Sequence, residues 1–182
     1  MRSSHFGWGI MLIENKLLSI LKNFALGSLL GLFGMIVTYL SATPNLDTNS
    51  DTNSSKLVDT HTIAHIYGSG FFYSFALLCF IAPITEEFVF RYLPYRLWMK
   101  LFPEDKREKI IFWMLGACQT VFFVFGHFYD GMKVVPYMQF LLGVLSWYKI
   151  EKQGFTASLA IHFGVNATLL FSSIGLIKYL SE

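Results

Sequence analysis

The sequence predicts an all-α protein, a polytopic transmembrane helical bundle of about five spans, with one long kinked helix carrying a pair of glutamates. Three observations predict it. Of 182 residues, 54% are hydrophobic and only 14% charged, with a mean hydropathy of +0.49. Soluble domains carry about 25% charged residues, and disordered chains combine low hydrophobicity with high charge. Apolar runs on the scale of a hydrocarbon core of about 30 Å recur along the chain. The aromatic content of 18%, with 19 Phe, suits contact with lipid. The same numbers exclude other classes. A net charge of +2 without a dense basic run argues against nucleic acid as a partner. Two cysteines, Cys79 and Cys118, both in apolar sequence, exclude a disulfide framework and a Cys-rich zinc site.

Residues 17–40 form the first candidate span, uncharged from Phe24 to Leu40. The apolar run exceeds the 7–15 residues of a signal-peptide core and no A-x-A site follows, so it reads as a retained anchor. Gly27 and Gly31 have GxxxG spacing, which lets a second helix approach closely. Such spacing also arises by chance in a glycine-containing helix. Residues 41–62 are rich in Asn, Asp, Ser and Thr and read as a solvated loop. This divides the chain into an anchor and extracytoplasmic loop at 1–65 and a helical core at 66–182. Within that boundary region, Asp59, His61 and His65 have metal-ligand spacing. The simpler reading is a helix start with Asp59 or Thr60 as N-cap.

Residues 63–101 are too long for one crossing, at roughly 58 Å as a helix, and Pro83 and Pro94 are the expected points of kinking or division. Pro103 and the basic residues Lys106, Arg107 and Lys109 form the next loop. Residues 110–128 make another span, Asp130-Gly131 a turn, and 137–148 a short apolar run of about 18 Å. That run is too short to cross unaided, which would leave the bundle open on that side. Residues 151–154 read as a tight polar turn, and 155–180 as the last span. An inside N-terminus leaves only Lys56, Lys133 and Lys178 of the 14 basic residues outside. The positive-inside rule therefore gives N-in and C-out, and the plasma membrane is the expected location.

Ionisable residues inside membrane helices cost about 2.5–3.5 kcal/mol each on insertion scales and usually carry function. Glu86, Glu87 and Arg91 stand in apolar sequence. Glu87 and Arg91 are spaced i,i+4 in the favoured orientation for an ion pair. Glu86 points about 100° away and has no local partner. A buried unpaired carboxylate suits a general base, although both glutamates could equally be hydrated at the interface. His127 shares a face with Phe123, and a lone histidine there also suits a satisfied core residue. His162 and Asn166, again i,i+4, point into one space, either as functional groups or as hydrogen-bonding glue between helices. Glu86 lies 17 residues before Pro103 and His127 lies 18 after Lys109. Antiparallel helices joined there would hold both at about 25–27 Å from the loop. His162 needs a tilt or kink to join them. Peptide hydrolysis needs a base for water and donors for the oxyanion, which this set supplies. Glu86, His127 and His162 could instead hold zinc, although HExxH is absent.

The motifs E-E-x-x-x-R at 86–91, F-x-x-x-H at 123–127 and H-x-x-x-N at 162–166 occur in order, led by Ala82-Pro83-Ile84-Thr85. They resemble the CPBP family, which comprises type II CAAX prenyl endopeptidases of the Ras-converting-enzyme-like kind and Abi-type proteins. The resemblance covers about residues 66–180. It implies an intramembrane endopeptidase acting on membrane proteins or lipidated peptides, including prenylated or precursor substrates. By that analogy Glu86 and His127 activate water, His162 and Asn166 stabilise the oxyanion, and Arg91 and Glu87 hold the helix in place. The family is described both as metalloproteases and as metal-free glutamate proteases. The metal-free form is favoured here, with no cofactor, because Asn is a poor zinc ligand and a good oxyanion donor. Two other readings compete. A non-enzymatic immunity-like membrane protein should have lost a motif residue, and none is lost. A small transporter should show an inverted repeat, and none is found.

Overall fold

The structure is a computed structural model that describes residues 4–41, 70–104, 108–127 and 137–181. The polar loop with Asp59, Thr60, His61 and His65 lies outside the described residues, as do the Asp130-Gly131 turn and Pro136. Among the described residues there are five helices and no strand: α1 (Ser4–Ser41), α2 (Phe71–Leu101), α3 (Lys109–Phe125), α4 (Tyr137–Gln153) and α5 (Phe155–Ser181). Three contain stretches long and apolar enough to cross a membrane, namely Glu14–Val37, Phe71–Leu101 and Phe155–Ser172. α3 and α4, at 17 residues each, are about 26 Å long, just under a full hydrocarbon core.

Helix α2 follows Gly70, whose φ of 84° is open to glycine and strained for other residues. The prolines do not divide it. Each sits just after a π-helical turn, Leu77–Ile81 before Pro83 and Phe88–Tyr92 before Pro94. Proline has no N–H to donate and its ring crowds the carbonyl four residues back. A π turn widens the coil and shifts the hydrogen-bond register to i−5, and the N–H groups of Ala82 and Leu93 bond back to Leu77 and Phe88 in that register. The Glu pair therefore lies on a short α-helical segment, Ala82–Glu87, bracketed by two π turns.

Two boundaries differ from the expectation. α4 runs through residues 151–153, because Glu, Lys and Gln are good helix formers, and only Gly154, at φ 83°, makes the turn. The short run at 137–148 is thus part of a longer helix. α3 ends at Phe125, so His127 sits in the turn beyond it, its N–H bonded to the Val124 carbonyl.

Helix α5 is the centre of the bundle, packed against α1, α2 and α4, with α3 beyond α4. Its approach to α1 is close enough for backbone contact. A Cβ on Gly27 would stand 2.0 Å from the Ile161 carbonyl oxygen, and one on Gly164 would stand 2.3 Å from that of Phe24. Gly31 meets Val165 and Thr168 less tightly. The GxxxG pair is therefore a packing motif, with α5 as its partner. Phe123, Leu142, Ile161 and Val165 form one buried cluster behind the polar centre, and Trp98, Phe112 and Trp147 another at the α2–α3 loop end. Polarity is distributed as lipid requires. Leu29, Phe33, Phe72, Ile81, Phe122 and Phe125 are exposed, whereas Glu87, Arg91, Thr120, Ser146, Ser158 and His162 are buried.

Candidate active site

Three helices, α2, α5 and the end of α3, bring their polar residues to one place around the turn of α2 between its two π turns. A helix rotates about 100° per residue, so adjacent glutamates meet different surroundings. Glu87 faces the bundle axis and is 0% exposed. Glu86 faces the junction with His127 and is 26% exposed, and His127 itself is 25% exposed. The site is thus closed behind Glu87 and open in front of Glu86.

The buried half is a network around Glu87. His162 Nδ1 lies 2.9 Å from Glu87 Oε1, and the Ser158 hydroxyl donates to Glu87 Oε2. An ionised carboxylate only accepts, so the proton of this contact is on His162 Nδ1. Arg91, the expected ion-pair partner, is farther away. Its Nη1 stands 3.9 Å from Glu87 Oε1, beyond hydrogen-bond range. Its guanidinium lies 3.9 Å over the Phe123 ring, a cation–π contact, and no hydrogen-bond partner of Nη1 or Nη2 is found among the described residues. Gly143 leaves room for it, since a Cβ there would sit 3.2 Å from Nη2. Arg91 therefore balances the charge of Glu87 at short range, while Ser158 and His162 make its hydrogen bonds.

The open half is Glu86 between two imidazoles. Its Oε2 is 3.5 Å from His162 Nε2 and 4.0 Å from His127 Nε2. Each ring is anchored through its far nitrogen: His162 through Nδ1 on Glu87, and His127 through Nδ1, 2.8 Å from the Phe123 carbonyl oxygen. A carbonyl only accepts, so His127 Nδ1 donates and Nε2 is left facing Glu86. The Phe123 ring packs against both imidazoles, 4.6 Å from His127 and 5.9 Å from His162 between centroids.

Asn166 has a different first partner from the one its spacing suggests. Its Nδ2 donates to the Leu78 carbonyl at 2.8 Å. Continuation of the π register from Ala82 would require residue 83 to bond Leu78, and Pro83 has no N–H. Asn166 caps the carbonyl that this proline leaves open, and one N–H of its amide remains uncommitted by that bond.

Of the sequence candidates, the structure brings Glu86, Glu87, Arg91, Phe123, His127 and His162 together, with Asn166 one turn along α5. Ser158 was missed. Its signal was present, because it lies four residues before His162 on the same face. A zinc ion bound at about 2.0–2.2 Å would need its donors about 3.4 Å apart. The 4.0 Å gap is wider, and among the described residues no group of three His, Cys, Asp or Glu side chains is disposed to hold a metal ion.

No curated protein and no solved structure matches the chain. The family model described as "Type II CAAX prenyl endopeptidase Rce1-like" matches residues 68–168. That is more than half of the chain and spans all three motifs and the whole polar centre, while α1 lies outside it. An all-helical bundle with membrane-length apolar helices, built around buried glutamate and histidine, agrees with that match: the chain belongs to the Rce1-like family of type II CAAX prenyl endopeptidases.

Proposed function

We propose that this protein is an intramembrane endopeptidase in which Glu86 activates water against a peptide bond of a membrane-associated substrate. The observation that carries the reading is the contrast between the two glutamates. Glu87 is consumed by hydrogen bonds inside the bundle. Glu86 is partly open and faces two oriented imidazole nitrogens at 3.5 and 4.0 Å. Such distances leave the carboxylate oxygen free to engage a water that also meets a ring nitrogen.

Glu86 takes the proton as water adds to the scissile carbonyl and returns it to the leaving amine, with His127 Nε2 orienting the water. In its doubly protonated form the His162 ring donates through Nδ1 to Glu87 and through Nε2 to the oxyanion. The free N–H of Asn166 supplies a second donor. Glu87 thus acts as the positioning carboxylate of His162, holding its Nδ1–H and fixing the orientation of the ring. Membrane proteins and lipidated peptides, prenylated ones included, are the proposed substrates. The proposed setting is the plasma membrane with the N-terminus inside.

The test is proteolysis by the purified protein in lipid, wild type against Glu86→Gln, with and without a chelator. The substrates are a pool of membrane-anchored and prenylated peptides. Cleavage that requires Glu86 and survives chelation is expected. Cleavage by Glu86→Gln at the wild-type rate would reject Glu86 as base, and loss on chelation would make Glu86, His127 and His162 a metal-binding set.

A further inference from the structure

Away from the polar centre, α1 and α4 flank an open cavity of about 430 Å³. It lies at the same end of the bundle as the Gly154 turn. Its walls are Asn15, Ser19, Lys22 and Asn23 from α1 and Lys149 and Gln153 from α4. The α1 residues recur at helical spacing, so they form one stripe facing α4. Two cations and four neutral polar side chains converge there, and among the described residues lining the cavity there is no carboxylate. The nearest acidic residue on α4, Glu151, is paired with Lys152 at 3.5 Å. Lys22 and Lys149 have no ion-pair partner among the described residues.

The cavity is built rather than incidental. Asn23 is buried, and its Nδ2 donates to Gln153 Oε1 at 2.7 Å and to the Ser19 carbonyl at 2.8 Å. This hydrogen bond ties α1 to α4 at the cavity floor and fixes Gln153 by its oxygen, which leaves the Gln153 amide N–H groups as donors. The lip carries Leu18 and Leu26, both lining the cavity and lying on the exposed flank of α1. Depth agrees. The apolar stretch of α1 begins at Glu14, eight residues before Lys22, and the turn after α4 is at Gly154, five residues after Lys149, so both lysines lie toward the same end of the bundle. Long lysine side chains reach the headgroup region from within the first turns of a span.

We propose that this cavity is a binding site for an anionic phosphate group, held between Lys22 and Lys149, with the amide donors of Asn15 and Gln153 on its oxygens. Basic pockets between membrane helices at the interface suit phospholipid headgroups, and the leucine lip gives an acyl chain an apolar exit. The occupant would bridge α1, which lies outside the family match, to α4, which lies inside it. The site does not depend on the proteolytic reading.

The experiment is titration of the purified full-length protein in neutral detergent, read by thermal unfolding and by native mass spectrometry. The ligands are dioctanoyl phosphatidylglycerol, dioctanoyl phosphatidylcholine and inorganic phosphate. Saturable binding of phosphatidylglycerol, with a rise in Tm and no matching effect of phosphatidylcholine, is expected. Each lysine near a lipid surface is worth roughly a fivefold change in affinity, so Lys22→Gln/Lys149→Gln should bind about 25-fold more weakly. Lys100→Gln, on α2, should bind as the wild type does. Inorganic phosphate acting with the same lysine dependence would support the phosphate site and assign its source to the aqueous anion. Equal binding of both lipids, or a double variant that binds like the wild type, would overturn the proposal. If the double variant does not fold, the single variants decide it, since Lys22 is exposed and Lys149 half-buried.

Discussion

Replacing Gly27 with alanine should cost activity at a site it never touches. The added Cβ would stand 2.0 Å from the Ile161 carbonyl oxygen and 2.8 Å from its carbon. A carbon meets a carbonyl oxygen comfortably at about 3.3 Å, so α1 and α5 must separate by roughly 1.3 Å at that level. Ile161 immediately precedes His162, whose two nitrogens hold Glu87 and face Glu86. Catalytic groups tolerate displacements of about 0.5 Å, and a misplacement of about 1 Å can cost on the order of 100-fold in rate. If α5 moves, Gly27→Ala should therefore lower kcat by about two orders of magnitude. If α1 moves instead, the loss falls on stability, because close backbone packing between the helices is gone.

The assay is single-turnover cleavage in lipid nanodiscs together with thermal unfolding of the same samples. A graded series controls it. Gly31→Ala meets Thr168 at 3.0 Å and Val165 at 3.1 Å, a matter of a few tenths of an ångström, and should be milder. Gly175→Ala meets nothing within 4 Å and should be neutral. Wild-type rate and wild-type stability in Gly27→Ala would refute the backbone contact. A loss in Gly175→Ala equal to that in Gly27→Ala would refute the reasoning from proximity.

Glu87→Gln presents an amide NH2 or a single oxygen where two donors converge. The rate should fall by two orders of magnitude or more as the His162 ring loses its anchor, and a retained rate together with retained Tm would contradict that role. Arg91→Ala leaves Glu87 without a cation in a buried position and should cost about 3–5 kcal/mol of stability; unchanged thermal unfolding would refute the charge balance. Asn166→Leu should cost about 0.6–1.7 kcal/mol through the lost bond to the Leu78 carbonyl, and less in a Pro83→Ala background that restores a backbone donor. Additive costs in that double-mutant cycle would dismiss the capping account. Reporter fusions should place residue 50 outside and residue 105 inside, and the opposite pattern would reverse the topology.

The charged residues were legible because an apolar helix makes them conspicuous. Glu86, His127 and His162 stand out against Phe, Val and Ile, and counting residues from the Pro103 loop put the first two at equal height. What escaped the count depended on contacts between helices. Ser158 escaped because a hydroxyl is unremarkable in a membrane helix. Only its position four residues before His162 hinted at a shared partner. Gly27 and Gly31 showed the spacing of a packing motif, but nothing in a one-dimensional pattern names Ile161 as the group they meet. The end of α4 was misjudged because polarity was taken for a turn. Residues 151–153 are polar and helical at once, and the turn itself needs only the left-handed backbone of Gly154. The role of Asn166 was hidden by the π turn. In a regular α-helix Pro83 would leave the carbonyl of Cys79 open, and only the i−5 register moves the orphan to Leu78, within reach of α5.

That register shift also bears on the two glutamates. A regular helix fixes the angle between neighbours but not which of them points inward. α2 has an extra residue in each π turn before and after the pair, so the turn carrying Glu86 and Glu87 is rotated relative to the helix on either side. The flanking turns present Phe80, Ile81, Val89 and Leu93 outward while the middle turn sets Glu87 against Ser158 and His162. Prolines follow both π turns, and each lacks the N–H that would bond four residues back at that point, before the α register resumes. The irregular helix is thus a consequence of Pro83 and Pro94, and it leaves one carboxylate held inside the bundle and its neighbour partly open beside the two imidazoles.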